Sequence, residues 1–214
     1  KNANLTYKGI VLDSKRKNLI VSGTGTSTLV SQDDMAMCLE GGTTFTGGKF
    51  VVKSNTDVAL YQVAGAVEFK ETDVELAGRT YGMLARAETA NFSFNATKSN
   101  MKISGQQGAI YKYVSATLKD CYLVSPSNAS FDASKYGFCV NGVLCTNVEI
   151  NTQQTGKYEL FVCGNQVTSA NASDILGNGT MSYDPSAKVL SIKSCNPAPA
   201  SAPVIDHAIP GLEI

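Results

Sequence analysis

A short motif recurs along the chain at intervals of 23, 23, 27 and 28 residues. Each copy has a small residue, then a large apolar residue and then an often aromatic one, as in "DVALYQVAG", "RTYGMLARAE" and "QQGAIYKYV". The small residues are Ala36, Ala59, Gly82, Ala109 and Gly137. Repeats of about 20 to 50 residues are typical of solenoids and propellers, because one such unit cannot bury its own apolar face. Stacking of the copies must therefore complete the core.

Two strand-like stretches accompany each motif, and both alternate polar and apolar residues with a period near two. The first set is residues 44–45, 67–69, 92–94, 117–118 and 148–150, and the second is residues 50–52, 74–76, 101–103, 122–124 and 160–162. Three strands in about 23 residues are too few for a propeller blade, which needs about 40 residues. The repeat therefore predicts an all-β fold, a right-handed parallel β-helix with one coil per unit.

A β-helix with one coil per unit predicts which side chains of each motif point into the core and which point outward. The large apolar residues should form one inward column, made of Met37, Leu60, Met83, Ile110 and Phe138. The small residue before each of them should allow a tight corner. Because side chains alternate along a strand, the next residues should point outward: Cys38, Tyr61, Leu84, Tyr111 and Cys139. Two interpretations of this outward row stay open, packing under a neighbouring loop or an exposed strip that binds a ligand.

The C-terminal part of the chain has a different pattern. Residues 158–188 contain "YDPSAK", which is typical of a turn between two strands. We therefore expect β-helix coils over residues 1–157. Residues 158–214 should form a strand-rich cap or the start of a second module, and in the latter case the chain is a fragment of a longer protein.

Both parts of the sequence resemble known proteins. "YELFVCGNQVTSANASDI" and "GTMSYDPSAKVLSI" resemble a strand-turn-strand module of secreted or surface proteins of gut anaerobes. The coil triplets "YGM", "GAI" and "YGF" are similar to those of the pectate-lyase-like superfamily, which includes non-catalytic carbohydrate-binding β-helices. The resemblance implies a secreted or cell-surface protein. It implies no particular activity, because β-helices include lyases, hydrolases, adhesins and binding modules.

Composition and charge limit the partners. The 214 residues carry a net charge of zero, only 17% are charged, and only three are arginines, so no basic surface for nucleic acid is expected. No apolar run approaches the roughly 20 residues of a membrane-spanning helix, and no signal peptide opens the chain. We expect either a soluble protein or one whose targeting segment has been removed.

Candidates for catalysis are sparse. Asp73 and Asp120 have similar positions in two coils and could form a carboxylate pair, although a solvated coil edge is the simpler interpretation. Asp33 and Asp34 could assist the binding of a cation such as Ca²⁺, although a polar turn is the simpler interpretation. His207, the only histidine, lies in a proline-rich segment without a nucleophile motif. We therefore predict no catalytic residue, no metal site and no cofactor.

The six cysteines permit up to three disulfides, but free thiols packed as small apolar residues are equally consistent with the spacing.

Three functions remain. The first is an extracellular binding or adhesion module without catalytic activity, with glycan as its candidate partner and Tyr61, Leu84 and Tyr111 as its binding strip. The second is a polysaccharide lyase or glycoside hydrolase, which would need carboxylates and a base together on one concave surface. The third is a structural spacer of a larger surface protein.

Overall fold

The computed structural model describes residues 2–86, 91–126, 128–152, 157–168, 171–185, 187–193 and 204–214. The chain divides into two compact units, residues 1–152 and 153–214. All regular structure in the described ranges is β-strand, which confirms the all-β prediction. Accordingly, these ranges contain no helix that could span a membrane.

The first unit consists of short strands joined by turns. Its strands are β1 (Ala3–Tyr7), β2 (Leu12–Asp13), β3 (Leu19–Ser22), β4 (Thr26–Ser31), β5 (Met37–Leu39), β6 (Thr43–Thr46), β7 (Lys49–Ser54), β8 (Leu60–Gln62), β9 (Val67–Lys70), β10 (Asp73–Ala77), β11 (Tyr81–Ala85), β12 (Ser93–Thr97), β13 (Asn100–Ser104), β14 (Gly108–Tyr111), β15 (Ser115–Lys119), β16 (Tyr122–Ser125), β17 (Ser130–Asp132), β18 (Gly137–Val140), β19 (Val143–Leu144) and β20 (Asn147–Asn151).

Three sheets form the walls of the first unit. Sheet A has the order β1-β4-β7-β10-β13-β20-β16, sheet B β14-β11-β8-β5-β2 and sheet C β15-β12-β9-β6-β3. Successive strands from β1 to β15 enter sheets A, B and C in turn, and each strand from β1 to β12 pairs in parallel with the strand three positions later in the chain. Three strands therefore make one turn, and about five turns stack. The predicted parallel β-helix is confirmed.

The core of the first unit is built from columns of apolar side chains. In sheet B, Met37 pairs with Leu60, Leu60 with Met83, and Met83 with Ile110, and all four are buried. This part of the predicted inward column is confirmed. In sheet C the ring centroids of Phe45 and Phe69 lie 5.1 Å apart in a stacked arrangement. Parallel in-register pairing places like residues on adjacent rungs, which keeps this core continuous.

The small residue of each motif is required by close packing. A Cβ on Gly82 would lie 2.5 Å from Cγ2 of Ile103 and 2.8 Å from the carbonyl oxygen of Ala109. The backbone of Gly82 is not in the left-handed region, so its conformational freedom is not what this position uses. The motif therefore requires a small residue because the backbones of adjacent turns approach closely there.

A set of left-handed residues recurs at another corner, between sheet C and sheet A. Gly47, Glu71, Lys98 and Asp120 each follow a strand of sheet C and have φ values of 63°, 50°, 45° and 52°. Three of these residues are not glycine, although a left-handed backbone costs an L-residue about 1–2 kcal/mol. Ala36 and Ala59 directly precede β5 and β8, where the chain passes from sheet A to sheet B, so the small residues lie at a different corner from these left-handed residues.

The repeat fails after the fourth motif. Phe138 and Cys139 lie in β18, which pairs antiparallel with β17 and β19, so neither continues a row of sheet B. Residues 148–150 belong to β20, which pairs antiparallel with both β13 and β16. The predictions of a fifth motif at Phe138 and of a fifth equivalent strand at residues 148–150 were wrong. Residues 130–144 form an inserted three-stranded sheet, and the spacing of 28 residues was too close to the repeat length to reveal it. Phe138 is nevertheless buried in the core.

The second unit has its own core. Its strands are β21 (Lys157–Val162), β22 (Asn165–Thr168), β23 (Met181–Asp184), β24 (Val189–Ile192) and β25 (Ile205–His207). β21 pairs antiparallel with β22 and β25, so residues 160–162 are not a strand of the β-helix, contrary to the prediction. β23 and β24 form the hairpin expected around "YDPSAK". The buried side chains of the second unit include Leu160, Val162, Val167 and Tyr183.

Candidate binding surface

The predicted outward strip lies on sheet B. Tyr61, Leu84 and Tyr111 pair with one another on three consecutive rungs, and each is half-buried. Rungs about 4.8 Å apart place the backbones of the two tyrosines roughly 10 Å from each other. Cys38 precedes them in the same row, but only 9% of its surface is exposed. The strip therefore has three partly accessible members, and Cys38 is a correction to the predicted exposed row.

A fourth side chain, Tyr81, joins the strip. Its ring stacks on that of Tyr111 with a centroid distance of 5.2 Å and an interplanar angle of 18°. Tyr81 pairs with Gly108 on the next rung, and a Cβ at Gly108 would lie 3.3 Å from two atoms of the Tyr81 ring. Burial, and secondarily Tyr111, raises the pKa of Tyr81. Gly108 thus leaves room for the ring, and the glycine in "QQGAI" was the signal in the sequence that could have identified this contact.

A positive charge borders the tyrosine pair. Nζ of Lys112 lies 5.8 Å from the centroid of the Tyr111 ring, within the range of a cation–π interaction. Lys112 has a left-handed backbone with φ of 66°. The chain turns at this residue, and as a result Tyr111 is half-buried at the surface whereas Tyr113 is fully buried. We call Tyr61, Leu84, Tyr111, Tyr81 and Lys112 the tyrosine strip.

A second surface, the polar groove, lies on sheet A. It has a volume of about 350 Å³, and its charged lining residues are Lys49, Asp73, Glu75, Lys102 and Glu149. These residues come from four strands, β7, β10, β13 and β20. Glu75 pairs with Lys102 on the next rung, and Lys102 pairs with Glu149. Charges of both signs therefore alternate across this surface.

The carboxylates of the polar groove have polar partners. Asp73 accepts a hydrogen bond from Nδ2 of Asn100 at 2.8 Å. Glu75 is 2.9 Å from Nζ of Lys53, and Glu149 is 3.5 Å from Nζ of Lys102.

Asp120 does not share the position of Asp73, contrary to the prediction. Lys119 pairs with Thr97, so Asp120 follows a strand of sheet C, whereas Asp73 begins a strand of sheet A and pairs with Asn100. The suggested carboxylate pair is therefore not formed. The error arose because both residues follow a predicted strand, and the corner between the sheets was not visible in the sequence.

The other candidate residues are not members of the tyrosine strip or of the lining of the polar groove. Asp34 has a local role, since its Oδ1 accepts the backbone N–H of Met35 at 2.7 Å. His207 lies in β25 of the second unit, where it pairs with Leu160 and is exposed. Five cysteines in the described ranges are free thiols, namely Cys38, Cys121, Cys139, Cys145 and Cys163. Cys195 lies outside the described residues.

Comparison with known proteins gives no family: no family model, no curated protein and no solved structure matches this chain. A fold alone does not define an activity, because one architecture carries many functions. A function must therefore be inferred from the chemistry of the tyrosine strip and the polar groove.

Proposed function

We propose that the protein is an extracellular binding module that attaches to carbohydrate through the tyrosine strip. The observation that supports this most directly is the stacked pair of half-buried tyrosines, Tyr81 and Tyr111. Tyr111 is aligned with Leu84 and Tyr61 on successive rungs. The resemblance of the sequence to secreted and surface proteins supports a location outside the cell.

The chemistry of the strip suits a sugar chain. Aromatic rings present flat apolar faces with a polar hydroxyl at the rim, which matches a pyranose ring with its C–H face and its peripheral hydroxyl groups. The side chain of Tyr61 takes part in no ring contact or hydrogen bond with the other described residues. The roughly 10 Å between the backbones of Tyr61 and Tyr111 corresponds to about two sugar units along the stack.

The solenoid holds these side chains on a rigid support. Each strand of the strip is paired on both sides or closes the sheet, and the inward neighbours Leu60, Met83 and Ile110 are fully buried. A preformed surface loses little conformational entropy on binding, so weak stacking contacts can add up to a useful affinity. An adhesin-like protein can then multiply this affinity by presenting several copies.

The test is a glycan-array screen followed by calorimetric titration of the best oligosaccharide. Tyr61→Ala and Tyr111→Ala should each weaken binding at least about tenfold, which corresponds to 1.4 kcal/mol. Tyr122→Ala is the matched control, since Tyr122 is a 41% exposed tyrosine on sheet A and should leave binding unchanged. All three variants should melt close to the wild type. Binding that survives the loss of both strip tyrosines would place the site elsewhere.

The polar groove favours a second candidate, a polysaccharide lyase or glycoside hydrolase. Carboxylates and lysines line one concave surface there, which is the arrangement that such an enzyme needs. Hydrolysis or elimination on acidic polysaccharides, lost in Glu75→Gln and Lys102→Ala but retained in Tyr111→Ala, would establish the enzyme. No turnover in the wild type with and without Ca²⁺ would exclude this activity on the substrates tested.

A further inference from the structure

Three side chains with metal-binding atoms converge at the N-terminal turns of sheet B. Sγ of Cys38 and carboxylate oxygens of Asp13 and Glu40 all lie within 4.8 Å of one another, and no other such group of three is found in the described ranges. Only 9% of Cys38 is exposed, and its thiol makes no hydrogen bond with another described residue. A buried thiol without a partner therefore lies beside two carboxylates.

The backbone fixes this cluster in place. Asp13 at the end of β2 pairs directly with Cys38 in β5. Ser14 connects the two turns: its N–H donates to the carbonyl oxygen of Cys38 at 3.0 Å, and its Oγ accepts the N–H of Glu40 at 2.7 Å. Ser14 is buried, and Oδ1 of Asp13 accepts the N–H of Lys15 at 3.0 Å. The three side chains are thus brought together by contacts that need no ligand.

The ion pair that the cluster makes with another described residue involves an exposed arginine. Burial, the largest cause, and secondarily the negative charges of Asp13, Glu40 and Asp34 raise the pKa of Cys38 to about 11. Nε of Arg16 is 3.7 Å from Oε2 of Glu40, but the Arg16 side chain is 90% exposed. Solvent screens such a pair strongly. A cation placed between the thiol and the carboxylates would compensate these negative charges directly.

We propose that Asp13, Cys38 and Glu40 bind a divalent cation of the zinc class. Sulfur selects Zn²⁺ over Ca²⁺ and Mg²⁺, which prefer oxygen ligands, and three protein ligands with one water complete a tetrahedral shell. Zinc bonds of about 2.0–2.3 Å require ligand atoms roughly 3.5 Å apart, so only small side-chain movements close the site. On binding, the S–H bond breaks, the sulfur lone pair forms the metal bond, and the proton leaves to solvent.

The site would tie the first turn of the solenoid to the second. β2 has only two residues and pairs with β5 alone, so the first rung of sheet B has few backbone contacts. A metal that binds the native state but not the unfolded state stabilises the native state by mass action. Zinc should therefore raise the melting temperature of the wild type.

The experiment uses Co²⁺ as a spectroscopic substitute for Zn²⁺, with the full chain reduced by a phosphine. One equivalent should produce a thiolate-to-cobalt charge-transfer band that excess Zn²⁺ removes, with release of close to one proton. Cys38→Ser should lose the band. Glu40→Gln should weaken cobalt binding at least about tenfold, since even the mutation of residues that hydrogen-bond to metal ligands lowers metal affinity 10–100-fold. Cys163→Ser, which removes the half-buried thiol of the second unit, should retain the band.

Two results would overturn the site: no band in the wild type, or a band that Cys38→Ser leaves intact. If Cys38→Ser does not fold, Glu40→Gln decides the question, because Glu40 is only partly buried and its amide preserves size. Cobalt affinity in Glu40→Gln equal to that of the wild type would contradict the proposal. Glycan binding does not enter this test, so the site and the proposed function fail separately.

Discussion

The most informative perturbation of the core is Tyr113→Phe, which deletes one hydroxyl group. Tyr113 is fully buried, and its hydroxyl donates to Oε1 of Gln62 at 2.8 Å. Gln62 is also fully buried, and its Nε2 donates to the carbonyl oxygen of Gly65 at 2.6 Å. The ring of Tyr113 packs against Phe94 edge to face at 6.4 Å, a contact that phenylalanine retains. The variant therefore isolates one hydrogen bond.

The expected cost follows from the atom left behind. Without the hydroxyl, Oε1 of Gln62 is buried without a donor, and such a group costs about 1–3 kcal/mol. Urea unfolding followed by circular dichroism should show this loss as a lower midpoint with an unchanged slope. The control is Tyr111→Phe, because Tyr111 is half-buried and its hydroxyl makes no hydrogen bond within the described part of the chain. That variant should stay within about 0.5 kcal/mol of the wild type.

The double variant Gln62→Leu with Tyr113→Phe provides a second check. Replacement of both partners should lower the free energy of unfolding by less than the sum of the two single changes. In the double variant no hydroxyl or amide group of this pair remains buried without its partner. Additive effects, or a Tyr113→Phe variant as stable as Tyr111→Phe, would refute this account of the buried pair.

The same group predicts a pH dependence. Burial raises the pKa of Tyr113 above its ordinary value, so the folded state keeps the phenol protonated when the unfolded state ionises. The contribution is fully present below the unfolded pKa of about 10 and is lost as pH rises, by at most about 1.4 kcal/mol per pH unit. Tyr113→Phe lacks this loss. The stability advantage of the wild type over the variant should therefore shrink above pH 10.

Three further predictions concern other buried positions. Gly82→Ala should cost about 1–3 kcal/mol in urea unfolding because its Cβ has no space, whereas Gly23→Ala, with nothing within 4 Å, should be nearly neutral. Met83→Asp should prevent stable folding, since it places an unpaired charge in the core; a melting temperature equal to the wild type would contradict this. Cys38 should react with iodoacetamide more slowly than Cys163 at pH 8 and should accelerate up to about pH 11; equal rates would show that its thiol is accessible.

The sequence predicted the regular turns of the solenoid well. Parallel in-register pairing places equivalent positions on top of one another, so burial of one position is repeated at the next, as for Met37, Leu60 and Met83. A period visible in the sequence is then a period in space. The same rule correctly placed Tyr61 and Tyr111 in one row.

The breaks in the repeat could not be predicted in the same way. Alternation indicates a strand but not its direction, so residues 148–150 had the expected pattern although β20 runs antiparallel to its neighbours. Asp13 was missed for a related reason. Its strand has two residues, too few for a pattern, and its proximity to Cys38 depends on the pairing of β2 with β5.

β20 also limits how such a molecule can grow. It lies between β13 and β16, so β16 stands one strand spacing, about 4.8 Å, beyond the place where a sixth parallel rung of sheet A would begin. Sheet B ends at β14, where the N–H of Ala109 donates to the carbonyl oxygen of Cys145 at 2.7 Å. This end of the first unit therefore does not offer three free parallel strand edges to a second solenoid. An antiparallel strand thus occupies the place of the next parallel rung, and this makes the stacking of further turns into a fibre unfavourable at that end.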